Sequence, residues 1–244
     1  MCRLLGYVST APTSVENFSG IAFHEFVNLS NVHKDSWGLS LIDGERKEIF
    51  KSVESAASSS NFEKVAKEKK SSGGLLHFRW ASPGITVNEE NAHPFIHEDI
   101  TFIHNGALQP YDALLGEIAP EILKLRRGSG DSELFFLFTL TKVKELGFKA
   151  GVLSAIATIR QKYKYSSINS MFLNSDFLIV ISEHDPENRP SWTESNYYEV
   201  RYRLDESGCV VASSGWDQSG WVLMPNHSAL IVERKTMKSE LVNL

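Results

Sequence analysis

Short apolar runs, rich in β-branched and aromatic residues, recur along the chain. Runs of this length and composition are typical of β-strands. They predict nine strands, at residues 3–9, 37–42, 74–80, 100–104, 171–174, 177–182, 197–202, 210–213 and 229–233. The strands fall into an early and a late group, with a stretch of different character between them.

The stretch between the strand groups, and one segment ahead of it, carry patterns typical of helices. Ser60 begins a capping-box signature ahead of an apolar helix face, and residues 111–128 predict two short helices around a proline. Asp131 is predicted to cap a helix that ends at Gly147. Residues 151–163 repeat apolar positions at helical spacing, which predicts a further helix.

Size and composition are those of a globular protein. The chain has 244 residues, of which 42% are hydrophobic and 23% charged, enough to build a sizeable core. Together with helices between two groups of strands, this composition predicts a single α+β domain over residues 1–244. Its two sheets are expected to be covered by helices.

Charge and hydropathy exclude several functional classes. A net charge of -5 gives no electrostatic footprint for nucleic acid. The longest apolar runs are far too short to span a bilayer, and no signal peptide is visible. We therefore expect a cytoplasmic protein that binds neither nucleic acid nor a membrane.

The sequence motifs give little support for a metal site or a phosphate-binding loop. The histidines do not have zinc-site spacing, and the chain has no paired CxxC cysteines. The glycine-rich stretch GSGDSE lacks the lysine of a P-loop and the third glycine of a dinucleotide fingerprint. No metal and no cofactor are expected.

The most unusual feature is a cysteine directly after the initiator methionine. Methionine is normally removed when the second residue is small, which would leave Cys2 with a thiol and a free α-amine. The reference pKa of such an amine is about 7.7–8.0, so it would serve as a general base for the thiol. This is the N-terminal nucleophile arrangement. The alternative is that Cys2 is an inert cysteine buried on the first strand. Cys209, in a later apolar strand, is expected to be an inert core residue of this kind.

Three further stretches each carry two interpretations. Arg79 ends an apolar strand, where it would clamp a carboxylate or form a structural ion pair. Asn105 and Gly106 are typical of a turn, but a side-chain amide beside a backbone N–H also makes an oxyanion hole. Asp131 is a helix cap or the partner of a substrate ammonium group. The residues alone leave each pair of alternatives open.

Taken in order, the motifs MC, RWA, NAHP, HNG and GDSE resemble those of the class II glutamine amidotransferases. All five lie within residues 1–133, and the C-terminal part matches only loosely. The MCRLLGY start and the single short chain resemble the stand-alone branch that includes YafJ-like proteins and γ-glutamyl hydrolases. The resemblance implies the Ntn-hydrolase fold, a four-layer αββα sandwich with two mainly antiparallel sheets.

The resemblance also implies a role for each matching residue. Cys2 would attack the γ-carbonyl of glutamine or of another γ-glutamyl compound and form a γ-glutamyl thioester. Asn105 and Gly106 would hold the oxyanion. Arg79 would bind the α-carboxylate of the substrate, and Asp131 would bind its α-ammonium group.

The turn after Arg79 departs from the family pattern. Trp80 and Ser82 are expected to help bind the substrate carboxylate. Sugar-forming members carry a Thr-His pair where this chain has Ser82 and Pro83, so this part of the contact stays open. His93, in the NAHP motif, is expected to be structural.

Three functions remain open at this point. The first is a glutaminase that delivers ammonia to a separate synthase, because no synthase domain fits in the chain. The second is a γ-glutamyl amidohydrolase that acts on a small thiol or peptide conjugate and releases glutamate and an amine. The third is a non-catalytic glutamine-binding regulatory protein. A cysteine-type Ntn acylase fits the RWA and HNG motifs less well, and the sequence leaves an oligomer open.

Overall fold

The computed structural model describes residues 2–82 and 84–244. The predictions that concern Met1 and Pro83 therefore fall outside the described residues. The strands are β1 Arg3–Thr13, β2 Ser36–Asp43, β3 Arg46–Ser52, β4 Ser71–Arg79, β5 Phe95–His97, β6 Ile100–Gln109, β7 Lys164–Leu173, β8 Phe177–Ser182, β9 Val200–Asp205, β10 Gly208–Ser213, β11 Val222–Leu223, β12 Ser228–Glu233 and β13 Ser239–Asn243.

These strands form two antiparallel sheets. The first has seven strands in the order β11-β9-β10-β1-β4-β2-β3, and the second has six in the order β13-β12-β8-β7-β6-β5. The helices are α1 Val15–Ser19, α2 Phe23–Asn28, α3 Ser60–Glu68, α4 Pro120–Leu123, α5 Asp131–Leu146 and α6 Phe148–Lys162. Short 3₁₀ turns lie at Leu29–Asn31, Ala56–Ser58, Leu115–Glu117 and Pro186–Asn188.

Three hydrophobic clusters hold the layers together. One lies between the sheets, a second packs the outer face of the first sheet against α1, α2 and α3, and a third packs the second sheet against α4, α5 and α6. The alternation along β1 shows how one strand serves two clusters: Leu4 and Val8 lie between the sheets, while Leu5 and Tyr7 face the helices. The predicted α+β sandwich of two antiparallel sheets between helical layers is confirmed.

The strands differ in detail from the predicted ones. The predicted strand 177–182 matches β8, whereas β1, β4, β6 and β7 each extend beyond the predicted residues. The strand predicted at 197–202 begins only at Val200, because Tyr197 lies in a turn. The strands β3, β5, β11 and β13 were not predicted, since they are short or carry charged and exposed residues that weaken the apolar pattern.

Two predicted helix caps are wrong by one residue. Ser59, not Ser60, caps α3, because its hydroxyl accepts a hydrogen bond from the Phe62 N–H. Gly130 occupies the cap position of α5, and Asp131 is the first residue inside that helix. The carboxylate of Asp131 is therefore available for contacts beyond capping. The predicted end of α5 at Gly147 is confirmed.

Candidate active site

The alternation of side chains brings three predicted site residues into the space between the sheets. Cys2 precedes β1 and has the parity of Leu4, which lies in the inter-sheet cluster. The pairing of β1 with β4 sets Arg3 opposite Phe78, so Cys2 comes next to Arg79. On β6 of the facing sheet, Asn105 has the parity of Ile103, another inter-sheet residue.

Cys2 and Asn105 are in direct contact. The backbone nitrogen of Cys2 donates to Oδ1 of Asn105 at 2.7 Å. The thiol Sγ lies 4.0 Å from the carbonyl oxygen of Trp80, and Cys2 is 9% exposed. The Nδ2 group of Asn105 is buried and finds no hydrogen-bond partner among the described residues. A buried donor without a partner is rare, because it costs about 1–3 kcal/mol of desolvation.

Gly106 follows Asn105 in a position that tolerates no side chain. Its φ is 153°, and a Cβ built there would lie 1.8 Å from the carbonyl oxygen of Ser167 on the paired strand β7. The ladder between β6 and β7 becomes irregular directly afterwards, between Ala107 and Leu108. Glycine is thus required for this close backbone approach, which lies just before the register shift of the ladder.

Arg79 ends β4 as a buried cation, 4% exposed. Its Nη1 donates to the carbonyl oxygen of Thr86 at 3.2 Å, and no carboxylate of the described residues forms an ion pair with it. Burial lowers the pKa of the guanidinium from its ordinary value, while Cys2 and Asp35 oppose that shift. A buried arginine with spare donors is a ready site for a carboxylate.

Asp131 presents a buried carboxylate from the first turn of α5. Its Oδ2 accepts a hydrogen bond from the Leu108 N–H at 2.9 Å, directly after the irregular point of β6. Burial raises the pKa of this carboxyl group to about 6, although backbone hydrogen bonds from Leu108 and Ser132 act against the rise. No described lysine, arginine or histidine forms an ion pair with it.

A small cavity of about 30 Å³ joins these groups. Six of the seven predicted site residues line it, namely Cys2, Arg79, Trp80, Ser82, Gly106 and Asp131. The seventh, Asn105, contacts the Cys2 nitrogen. The structure therefore brings all seven together.

His77 and His104 also belong to this region, although neither was predicted as a site residue. His104 lines the cavity, and its Nδ1 is 2.9 Å from the Ser132 hydroxyl, while its carbonyl oxygen is 3.2 Å from Nε2 of His77. The His77 and His93 rings stack at 4.1 Å. Burial lowers the pKa values of His77 and His104 to about 3, so both are neutral near pH 7. His77 lies two residues before the RWA motif and His104 begins the HNG motif, and these positions were the signal available in the sequence.

Asn91 joins the two loops that frame the cavity. Its Oδ1 accepts from the Ser129 N–H at 2.8 Å, and its Nδ2 donates to the Thr86 carbonyl at 3.1 Å. The loop after Arg79 and the loop before Asp131 are thereby tied to one side chain. The NAHP motif, which begins with Asn91, thus contributes a frame for the site.

Two other kinds of functional feature are absent from the described residues. No group of three or more histidine, cysteine, aspartate or glutamate side chains is close enough there to hold a metal ion. Within the same residues, no helix combines the length and apolar composition needed to cross a bilayer.

Sequence comparison relates the chain to known proteins. The model of the family "Glutamine amidotransferases class-II" matches residues 1–183. A protein named as a glutamine amidotransferase in Haemophilus influenzae is 27% identical over 220 residues, covering 86% of this chain and 71% of that protein. The Escherichia coli protein YafJ, also named as a glutamine amidotransferase, is 30% identical over 186 residues, or 71% of this chain and 69% of YafJ.

Solved structures show the same fold. A glutamine aminotransferase class-II domain protein from Silicibacter pomeroyi superposes with a TM-score of 0.68 at 20% identity, covering 100% of this chain and 99% of that one. Glutamine phosphoribosylpyrophosphate amidotransferase from Bacillus subtilis superposes with a TM-score of 0.64 at 18% identity, covering 98% of this chain and 49% of that one.

Proposed function

The chain belongs to the class-II glutamine amidotransferases, and on that premise we propose that it hydrolyses the γ-amide of glutamine or of a γ-glutamyl compound through Cys2. One observation carries the proposal: the Asn105 amide accepts from the Cys2 nitrogen and keeps its own buried NH₂ group unpaired beside the thiol. A structural asparagine would use both ends of its amide. The proposal treats residues 1–244 as one amidotransferase domain.

The nucleophile and its base would belong to the same residue. With nothing ahead of Cys2, its α-amine has a reference pKa of about 7.7–8.0, close to neutral pH. The amine takes the thiol proton directly or through one water, and the thiolate attacks the γ-carbon of the amide. Oδ1 of Asn105 holds the amine in position by accepting a hydrogen bond from it.

The oxyanion that forms in this attack needs fixed donors. The unpaired Nδ2 of Asn105 and the backbone N–H of Gly106 would supply them. Donors aimed in advance at developing charge are worth about 2.7–4 kcal/mol each in such sites. Collapse of the intermediate breaks the C–N bond, and the Cys2 ammonium gives its proton to the departing ammonia or amine.

Water then resolves the γ-glutamyl thioester. The Cys2 amine takes a proton from the water, and the hydroxide attacks the thioester carbon. Collapse releases glutamate and the Cys2 thiolate, which recovers its proton from the ammonium group. The cycle ends with the starting protonation state, and no metal or cofactor enters it.

Recognition of the glutamyl group would rest on its two charges. Arg79, which has no carboxylate partner among the described residues, would bind the α-carboxylate in place of the Thr86 carbonyl. Asp131 would bind the α-ammonium group. One buried cation and one buried anion select a zwitterion, since each is left uncompensated when the ligand lacks the opposite charge. Trp80 and Ser82 line the same cavity beside them.

The proposal is tested by the intact mass and by glutamate release in the same preparation. We expect protein whose first residue is Cys2 to release glutamate, and Cys2→Ala to release none. The matched control is Cys209→Ala, because Cys209 is a fully buried cysteine of the inter-sheet cluster and is expected to keep its activity.

A negative result would separate the remaining alternatives. Protein that begins at Cys2, binds glutamine in calorimetry and releases no glutamate would overturn the catalytic proposal in favour of a binding protein. Ammonia that is released only with a partner synthase would instead identify an ammonia donor.

A further inference from the structure

Four aromatic side chains beside the candidate active site form a closed ring of contacts, in which each one touches the next. The ring centroids of Trp80 and Trp192 are 4.9 Å apart, and those of Trp192 and Tyr197 are 5.9 Å apart. Tyr197 is 6.5 Å from His33, and His33 is 5.8 Å from Trp80. All four separations lie in the range at which aromatic rings attract one another. We call these four residues the aromatic patch.

Two members of the aromatic patch are buried and the other two are exposed to solvent. Tyr197 and His33 are buried, and their polar ends meet, with Nε2 of His33 3.1 Å from the Tyr197 hydroxyl. The guanidinium of Arg3 lies 4.1 Å from the centre of the Tyr197 ring. By contrast, Trp80 is 37% exposed and Trp192 is 54% exposed. Large exposed indoles held on a buried support are typical of a binding surface.

The aromatic patch starts at the nucleophile. The carbonyl oxygen of Trp80 is 4.0 Å from the Cys2 thiol, and Trp80 is the one member of the patch that lines the catalytic cavity. The other three rings are not among the residues that line the cavity. Arg3, which supports Tyr197, is the next residue after the nucleophile. A group bonded to the γ-nitrogen of a substrate that reaches this rim would have the patch as its neighbouring surface.

The chemistry of the patch points to an uncharged aromatic group. None of the four side chains carries a carboxylate, and the Arg3 cation beneath Tyr197 disfavours a second cation. Burial lowers the pKa of His33 to about 3, so its ring is neutral at pH 7. A planar neutral ring would gain stacking energy on the exposed indoles and would leave no charge unpaired.

We propose that the aromatic patch binds the amine side of the substrate and favours γ-glutamyl amides of aromatic amines over glutamine itself. The inference rests on the proposed function, because it concerns the leaving group of the same reaction. It favours a γ-glutamyl amidohydrolase over a donor of ammonia alone.

The test compares three substrates, glutamine, γ-glutamyl methylamide and γ-glutamyl anilide, by kcat/KM for glutamate release. In Trp192→Ala we expect kcat/KM for the anilide to fall about tenfold, the effect of losing one stacked ring with its buried area. The values for glutamine and the methylamide should stay within about twofold. Trp192→Phe should retain most of the anilide activity, because it keeps a ring in place.

A second tryptophan pair supplies the matched control. Trp216 and Trp221 also contact each other, at 5.3 Å, but lie on the outer cluster of the first sheet. Trp221→Ala should leave all three substrates unaffected. Thermal unfolding of each variant identifies any general loss of structure.

The outcomes separate the two proposals. If the unmodified protein hydrolyses none of the substrates, the proposed function fails. If it hydrolyses glutamine but Trp192→Ala changes all three substrates equally, or none of them, the aromatic patch is not a leaving-group site and this inference alone is overturned. A tenfold loss confined to the anilide supports it.

Discussion

Asp131→Asn should make the protein more stable and less active. The carboxyl group is 4% exposed, and burial raises its pKa from 3.8 to about 6. That difference corresponds to roughly 3 kcal/mol against the ionised form in the folded protein. Asparagine has nearly the same shape and keeps an oxygen for the Leu108 N–H, but it carries no charge.

The sign of the effect follows from proton linkage. The folded protein holds this proton more tightly than the unfolded chain does, so the stabilisation is complete below pH 3.8 and is lost as the pH rises through about 6. At pH 8 we expect Asp131→Asn to unfold with a free energy about 1–3 kcal/mol higher than that of the unmodified protein. At pH 4 the stabilities of the two proteins should differ by less than about 1 kcal/mol, because Asp131 is then neutral in the folded protein and only about half ionised in the unfolded chain.

Activity should change in the opposite direction. Loss of a buried charged partner for the substrate ammonium group is expected to lower kcat/KM for glutamine by about 100-fold. In the unmodified protein, kcat/KM should also fall as the pH drops below about 6, since protonation removes the charge. Protonation of the Cys2 amine lowers the activity of both proteins below about pH 8, so the loss specific to Asp131 is a steeper fall below about pH 6, and this steeper fall should be absent in Asp131→Asn.

The measurements are urea unfolding at pH 4 and pH 8 and a pH profile of glutamate release. Glu133 is the matched control, because it is a buried carboxylate of the same helix whose two oxygens accept from the Arg127 and Gly128 N–H groups. Glu133→Gln keeps one acceptor and should destabilise the protein at pH 8 by about 1–3 kcal/mol. The reasoning is refuted if Asp131→Asn is no more stable than the unmodified protein at pH 8, or if its pH profile steepens below pH 6 as that of the unmodified protein does.

Three other substitutions or treatments test the structure. Gly106→Ala should abolish glutamate release and cost roughly 1–3 kcal/mol in urea unfolding, because the added Cβ meets the neighbouring strand; retained activity would contradict the assigned backbone approach. Burial raises the pKa of the Cys209 thiol to about 12. At pH 8, peptide mapping should therefore find Cys209 unlabelled by a thiol reagent until urea is added. Rapid labelling of the native protein would contradict this prediction. Arg160→Met should lower the free energy of unfolding in urea by roughly 3 kcal/mol, because Glu183, whose side chain is 1% exposed, loses its ion pair with Arg160. A decrease below about 1 kcal/mol would show that the remaining partners of Glu183 are enough to stabilise its buried carboxylate.

Much of the candidate site could be predicted because it lies in short motifs on strands. Strand alternation assigns each of Cys2, Arg79 and Asn105 to one face of its sheet. The resemblance implied that these faces of the two sheets meet. Asp131 was predicted both as a cap and as a ligand-binding group, and the structure decided against the cap. The register that places Cys2 beside Arg79 could not be derived, since it depends on the pairing of distant strands.

Other features have no local signature. Trp192 lies in a loop without a recognisable motif, and its meeting with Trp80 depends on how that loop packs. The strand β3 was missed because its sequence, RKEIFKS, is mostly charged, as is usual for a sheet edge. His104 belonged to a motif that was recognised, but its contact with Ser132 required the fold to place α5 against β6.

The hydrogen bond from the Cys2 nitrogen to Asn105 has a practical consequence for anyone who prepares this protein. A peptide N–H and an amine N–H both donate to the same oxygen. The pocket can therefore form whether or not a residue precedes Cys2, while only the free amine can accept a proton. Incompletely trimmed molecules would melt, elute and crystallise with the trimmed ones, and the fraction that is folded would overstate the fraction that can react. Specific activities should be scaled to a count of free N-terminal cysteines, for example by a reagent that requires both the amine and the thiol.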